Sequence, residues 1–330
     1  MDNIMLSIVI IAKNEERNID RCIKSIYDAK ISFPFEIIIV DSNSQDRTIE
    51  IASAHPVRIF NLGEKIHHSV AMGRYVGSKF STGKYILFID GDMELDANTD
   101  LVTVISYFEQ NNKIACISGS LEEYVYDMQY EIIRHNQDIY NVEKFAKRYD
   151  MGGFYIFKAS ILEELGNVDI KLDNNEDLEL MYRLYSKSYE FYRCPSLKLI
   201  HHTKEVYNFK VINLRFKSGR YRDMWTVAAL SIKYGFSFKH IITNNFVIAW
   251  LMLLTYTLLS LMLLMYSKKY FIVAIVLFTV ILIYKIIKKN SLKVVLFDLY
   301  YATLAVFSIF QKNHNNPNVD LREVSSVKTI

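Results

Sequence analysis

The chain has 330 residues, half of them hydrophobic, with Tyr and Phe unusually common and a formal net charge of only +3. So small a charge excludes a protein whose affinity comes mainly from neutralising nucleic-acid phosphates, and it favours a small ligand or a lipid as partner. Cys22, Cys116 and Cys194 stand far apart without metal-ligand spacing, which excludes a disulfide framework and fits buried thiols of a reducing compartment.

Met1 to Leu6 lacks a basic start and a small-residue cleavage site, so it reads as the approach to a strand and not as a signal peptide. Leu6–Ala12 is a β-branched run expected to form a strand buried on both faces. A helix follows, with Asn14 as its cap, Glu15 and Glu16 near its positive end, and Ile19, Cys22, Ile23, Ile26 and Tyr27 on one face. The alternation continues with strands at 36–40, 57–60 and 85–89 and helices at 47–54 and 69–80. Strand and helix in strict turn predict an α/β fold, a mostly parallel, Rossmann-like sheet with helices on both faces. Beyond it come a helix near 99–110, a strand near 115–118, an irregular stretch to about Tyr149, a strand at 152–157 and a helix at 177–186.

Ligands of such sheets bind beyond the carboxyl ends of the strands, and those positions are strongly polar here. The first strand is followed by Lys13-Asn14-Glu15-Glu16, the second by Asp41, and the fourth by Asp90-Gly91-Asp92. The glycine-rich dinucleotide fingerprint is absent, which argues against a nicotinamide or flavin enzyme. Asp90 and Asp92, two apart on extended chain, can share one divalent cation, and oxygen ligands suit Mg2+ or Mn2+ with substrate phosphates completing the shell. Read alone, the tripeptide is equally an acidic turn, Asp41 a helix-capping turn, and Glu176-Asp177 a pair of acids favoured by a helix dipole.

Taken in series, these motifs are more specific. The segments Ser7–Ile10 with Asn14-Glu15, Val40–Thr48, Arg74 with Gly77, Gly83–Asp92, Gly152-Gly153 and Asn175–Leu180 together resemble the family 2 glycosyltransferases, over about Leu6 to Arg220. The resemblance implies a nucleotide-diphospho-sugar transferase (GT-A) fold and an inverting, metal-dependent transfer of a sugar to a hydroxyl or phosphate acceptor. It implies that Asp41, Arg74, Asp90 and Glu15 hold the donor, that Asp90 and Asp92 place the metal, and that Asp177 is the base beside Glu176. Tyr75 stands where the family usually has Asn, which affects the donor contacts and not the metal pair. A histidine near the metal is also implied, and of the pair His201-His202 the second is taken as the ligand, although the sequence does not say which points inward. A nucleotidyltransferase would need a glycine-rich, basic first loop, which is missing; a catalytically silent membrane scaffold that binds nucleotide sugar is the other alternative.

Arg215, Lys217, Arg220 and Arg222, interleaved with Phe216, Tyr221 and Trp225, read as an interfacial helix in which Lys217 and Arg220 contact phosphate or lipid. Residues 246–266 are uncharged and long enough to cross a bilayer of about 30 Å, and 270–287 is a second candidate that would complete a hairpin. The apolar run 292–310 contains Asp298, which favours an interfacial helix over a third span. Lysines on the outer flanks place both hairpin ends in the cytoplasm. The expected organisation is therefore a catalytic domain over 1–222 on the cytoplasmic side and a membrane-anchoring region over 223–330 of a multi-pass cell-membrane protein. Its partners would be a nucleotide-diphospho-sugar, a polyprenyl-linked or glycan acceptor and membrane lipid, in polysaccharide or other cell-surface glycan assembly.

Overall fold

A computed structural model describes residues 4–29, 31–205, 209–217 and 221–235, positions 300, 304, 307 and 308, and residues 320–328. The chain divides into two units, Met1–Glu205 with Asn315–Ile330, and Val206–His314. The expected boundary at 222 thus falls inside the second unit, because Ile212 and Tyr221 pack into a small core of their own with Phe216, Met224, Tyr300 and Leu304. Among the described residues no helix is long and apolar enough to cross a membrane. The expected spans 246–266 and 270–287 lie outside those residues, as does most of 292–310.

The first unit is built on one sheet. Strands β1 (Leu6–Ala12), β2 (Phe35–Asp41), β3 (Arg58–Asn61) and β4 (Tyr85–Asp90) are parallel, in the order β3-β2-β1-β4. All seven residues of β1 are buried, as a β-branched run flanked by two strands and covered on both faces requires. One face carries the helices α1 (Ile19–Asp28), α2 (Thr48–Ser53) and α4 (Leu101–Gln110), whose apolar side chains join Leu6, Ile8 and Ile10 in the main core. The other face carries α3 (Val70–Phe80), capped by the Ser69 side chain, which accepts from the Met72 N–H. Gly73 and Gly77 let α3 approach closely: a Cβ at Gly77 would lie 2.2 Å from Val9 Cγ1.

Beyond β4 the sheet departs from simple alternation. A short β5 (Met93–Leu95) precedes α4, and the strand expected at 115–118 runs on as β6 (Ile114–Tyr126). The stretch without a sequence assignment holds β7 (Ile132–Asn136), a hairpin partner of β6, and β8 (Ala146–Lys147). The Gly-Gly strand is β9 (Tyr155–Lys158), and it lies antiparallel between β4 and β6. After α5 (Ala159–Glu164) and α6 (Glu176–Ser186), β10 (Glu190–Lys204) pairs in parallel with β6 and antiparallel with β5. Six strands therefore share one direction, and β11 (Ser325–Lys328) closes the far edge antiparallel to β3. The second unit contains α7 (Phe209–Lys217) and α8 (Arg222–Lys233).

One local expectation is corrected. The first helix begins at Ile19 after Asn18, while Asn14 adopts a left-handed φ of 57°. Its amide oxygen accepts from the Gln45 N–H across to the next loop, so it cannot cap its own helix.

Candidate active site

Arg74 sits at the centre. Position 74 lies on the α3 face drawn close to the sheet by Gly73 and Gly77, and the guanidinium is 2% exposed. Its Nη1 donates to Glu176 Oε1 at 2.5 Å, and its Nη2 donates to the Gly153 carbonyl at 2.5 Å and to Asp90 Oδ1 at 3.4 Å. One side chain thus ties together the end of β4, the loop entering β9 and the first turn of α6. Burial opposes its charge, but Tyr155, Glu176, Asp90 and Asp177 outweigh that and hold the guanidinium protonated. Its Nε is buried without a hydrogen bond, above the Tyr155 ring.

The glycines of the Gly-Gly loop have different reasons. A Cβ at Gly152 would fall 2.1 Å from the Tyr140 hydroxyl, whereas one at Gly153 would lie 4.0 Å from Asp90 Oδ2. Tyr140 is in turn stacked 3.5 Å from the guanidinium of the fully buried Arg193, which donates to the Asp150 and Gly119 carbonyls. The loop is held from below by this pair and from the side by Arg74.

Asp177 follows Asn175, whose left-handed φ of 61° turns the chain sharply into α6. Burial, then the negative charge of Glu176, raise the Asp177 carboxyl to about 7, against the lowering effect of Arg74. A carboxylate so tuned can take up a proton near neutral pH.

The acids at the β4 end form a second group. Asp90 is raised by burial, with Arg74 opposing and Asp92 reinforcing the shift. Glu15 is pushed up to about 7 by burial and then by Asp92; a Cβ on Gly91 would come 3.2 Å from its Cγ. Adjacent residues of a strand face opposite ways, so the two histidines of β10 part company. His201 is the one beside Asp92, with Nε2 3.3 Å from Oδ2, and its other nitrogen faces Glu123. Burial works against its charge, but hydrogen bonds to Asp92 and Glu123 raise it to about 10. His202, the expected metal ligand, instead meets Glu94 Oε1 at 2.5 Å and the Tyr126 hydroxyl at 2.9 Å.

Asp41 ends β2 at the same rim, since β1 pairs Ala12 with Asp41 on one side and Ile11 with Asp90 on the other. Its carboxylate is fully buried and accepts from the Ser44 N–H and hydroxyl and from Asn61 Nδ2. In this structure it fixes a turn. That turn is zipped to the loop after β1: Asn14 N donates to Ser44 Oγ, Glu15 N to Thr48 Oγ1 and Glu16 N to Asp46 Oδ2. Lys217, on α7, belongs to the second unit, and Arg220 lies outside the described residues.

Among the described residues no group of three or more His, Cys, Asp or Glu is arranged to hold a metal ion. The donor set still fits a hard divalent cation. Asp90 and Asp92 offer oxygen only, the charge of Asp92 disfavours ionisation of Asp90, and Mg2+-type ions take one or two carboxylates and complete their shell with phosphate and water.

The described sheet, its helices and the rim of acids define a class by architecture: the mixed α/β fold of GT-A glycosyltransferases. The structure is similar to TarS 1–349 of S. aureus in complex with UDP-GlcNAc, with a TM-score of 0.55, 16% identity and coverage of 72% of this chain and 69% of that one. It is also similar to GalNAc-T7 with UDP, GalNAc and Mn2+, with a TM-score of 0.50, 15% identity and coverage of 73% and 56%.

Residues 7–166 match the family described as Glycosyl transferase family 2. Two curated relatives match part of the chain. A 4,4'-diaponeurosporenoate glycosyltransferase of Staphylococcus haemolyticus is 27% identical over 142 residues, 42% of this chain and 36% of that protein. A dolichyl-phosphate beta-glucosyltransferase of Dictyostelium discoideum is 26% identical over 176 residues, 49% and 50% respectively. The chain thus spans half or less of the length of these relatives.

Sequence reasoning missed Glu94, Glu123 and Tyr155. Glu94 follows Asp92 at strand spacing and could have been found as a third acid of the same series. Glu123 and Tyr155 carried no local signal, because their roles depend on which strands become neighbours.

Proposed function

We propose that the chain is an inverting glycosyltransferase that moves a sugar from a nucleotide-diphospho-sugar to a hydroxyl or phosphate group of a lipid-linked acceptor in cell-surface glycan assembly. The observation that carries this reading is the Arg74 junction, which gathers Asp90, Gly153 and Glu176 at one rim beside Asp177. The family match, and two relatives that are themselves named as glycosyltransferases, support it.

In this reading the acceptor hydroxyl loses its proton to Asp177 as its oxygen attacks the anomeric carbon in line with the departing diphosphate, which inverts that carbon. Asp90 and Asp92 would hold a Mg2+ or Mn2+ ion, which when bound supplies charge stabilisation to the leaving diphosphate. Arg74 fixes the distance between the carboxylates at the two ends of the reaction, and Glu176 keeps Asp177 basic. The zipped loops around Asn14 and Ser44 would form the floor under the nucleoside, with Glu15 facing the diphosphate. We place this domain at the cytoplasmic face of a membrane, on the strength of the apolar runs after 245 and the lysines that flank them.

The test is a screen of nucleotide sugars against membrane extract as acceptor, with Mn2+ present, comparing the native chain with Asp177→Asn. Loss of a general base is expected to cost about 10²–10⁴-fold in transfer while nucleotide binding persists. Equal transfer by both chains would remove Asp177 from the mechanism.

A further inference from the structure

Arg21 and His202, which share Glu94, line a second opening. This cavity of about 150 Å³ is lined by Arg17, Arg21, Tyr126, Tyr130, His202 and Lys204, with Asn18 at its edge. It has room for roughly five waters and is smaller than the pockets of about 300–1,000 Å³ that hold whole ligands. It suits one chemical group of a larger molecule.

The charges on its walls say which group. The Arg17 guanidinium lies 3.7 Å from the Tyr130 ring centroid and the Lys204 ammonium 4.8 Å from it. Among the described residues neither cation has a carboxylate within ion-pair reach. Arg21 Nε stands 2.8 Å from Glu94 Oε1, yet its N–H is buried and makes no hydrogen bond. No acid lines the cavity among the described residues; the nearest through its walls are Glu94, shared by Arg21 and His202, and Glu15, which accepts from Asn18 and feels the charge of Lys204. Two unpaired cations and a partly paired third match a phosphate, whose oxygens an arginine fork can meet two at a time. Tyr130 closes the cavity with a left-handed φ of 64°, a strained backbone for an aromatic residue, held by the Asp127 turn at the tip of the β6–β7 hairpin.

The cavity adjoins the acids of the donor end: Asn18 Nδ2 donates to Glu15 Oε2, and the His202 N–H donates to the Asp92 carbonyl. Its walls come from β6, β10 and the start of α1, and β10 is separated from β2, which carries Asp41, by β1, β4, β9 and β6. The same hairpin exposes Met128 by 75%, Ile132 by 56% and Ile133 by 47%. Exposed apolar side chains beside unpaired cations are the signature of a surface for an anionic amphiphile.

We propose that this cavity seats the phosphate of an amphiphilic acceptor, with its hydrocarbon chain lying along Met128 and Ile132. The word acceptor rests on the glycosyl-transfer reading; the binding does not. The probes are farnesyl phosphate, farnesol and inorganic phosphate, titrated into the full chain in detergent, with a panel of nucleoside diphosphates as a separate titration. Farnesyl phosphate is expected to bind about tenfold or more tightly than either farnesol or phosphate. Arg17→Ala should weaken farnesyl phosphate and inorganic phosphate by a similar factor and leave farnesol unchanged, whereas Ile132→Asn should weaken farnesyl phosphate and farnesol only. Unaltered nucleoside diphosphate binding in both variants is expected and reports that they are folded. Farnesyl phosphate affinity indifferent to Arg17→Ala, displacement of farnesyl phosphate by nucleoside diphosphate, or no gain from the hydrocarbon chain would each overturn the proposal. An Arg17-dependent site in a native chain without transfer would remove the transfer reading and leave the site standing.

Discussion

Asp177 is a carboxyl whose folded environment favours its proton, and this has two consequences that can be measured together. As the base of the transfer proposed above, a carboxyl held at about 7 would make kcat/KM rise with pH through that value. For stability the sign is the reverse: a carboxyl raised above its ordinary 3.8 contributes stability at low pH that is lost as pH climbs toward 7. Asp177→Asn should therefore melt higher than the native chain at pH 8 and with no difference near pH 4, as differential scanning fluorimetry would show. A lower Tm for the variant at pH 8 would mean that the charge is better compensated than the geometry indicates. The two glycines of the loop make a sharper contrast. Gly152→Ala must displace the Tyr140 hydroxyl from its place over Arg193 and is expected to cost about 1–3 kcal/mol, the usual range for overpacking. Gly153→Ala, whose Cβ would make only ordinary contacts with Met93 Cε at 3.8 Å and Asp90 Oδ2 at 4.0 Å, should leave Tm nearly unchanged.

At the scale of elements, Arg74 joins three segments that a change of side chain can uncouple without emptying the site of charge. Arg74→Lys keeps the cation but has no fork to reach Glu176 and Gly153 together, so at least one buried partner is left unmade at about 1–3 kcal/mol. Transfer is expected to fall by more than stability alone explains, read as a drop in kcat with folded protein verified by circular dichroism. The acids at the strand ends were legible in the sequence because Asp41 and Asp90 each close an uninterrupted apolar run. Their use was not. Asp41 points into its own turn because Ser44 and Asn61 satisfy it, a matter of loop geometry, and the choice of His201 over His202 beside Asp92 depends on the register of β10 against β5. Asn14 misled for a related reason, since a good capping residue is equally good at bridging loops.

For the whole molecule, the parallel half of the sheet followed from hydrophobic periodicity, because each strand there is local, short and buried. The half beyond β4 did not, since β9 inserts antiparallel and β6 and β10 are long, bent strands whose pairing is decided by partners distant in sequence. Nothing in the polar segment 325–328 announces that it pairs with β3. That pairing covers an edge which would otherwise offer unpaired backbone groups to a neighbouring molecule. A chain ending at His314 should accordingly melt lower and scatter more light at high concentration, and unchanged behaviour would show that β3 needs no cover.

The reversed direction of β9 has a consequence for what such a scaffold can become. Because β9 enters beside Phe88 near the end of β4 and pairs with Cys116 and Ile117 of β6, it holds β4 and β6 two strand spacings apart, about 10 Å. That width is dictated by backbone pairing and is the same whatever decorates the walls. Under the transfer proposed above, variation in the surrounding loops would change which sugar enters and which molecule receives it, while the separation of β4 from β6 stays constant.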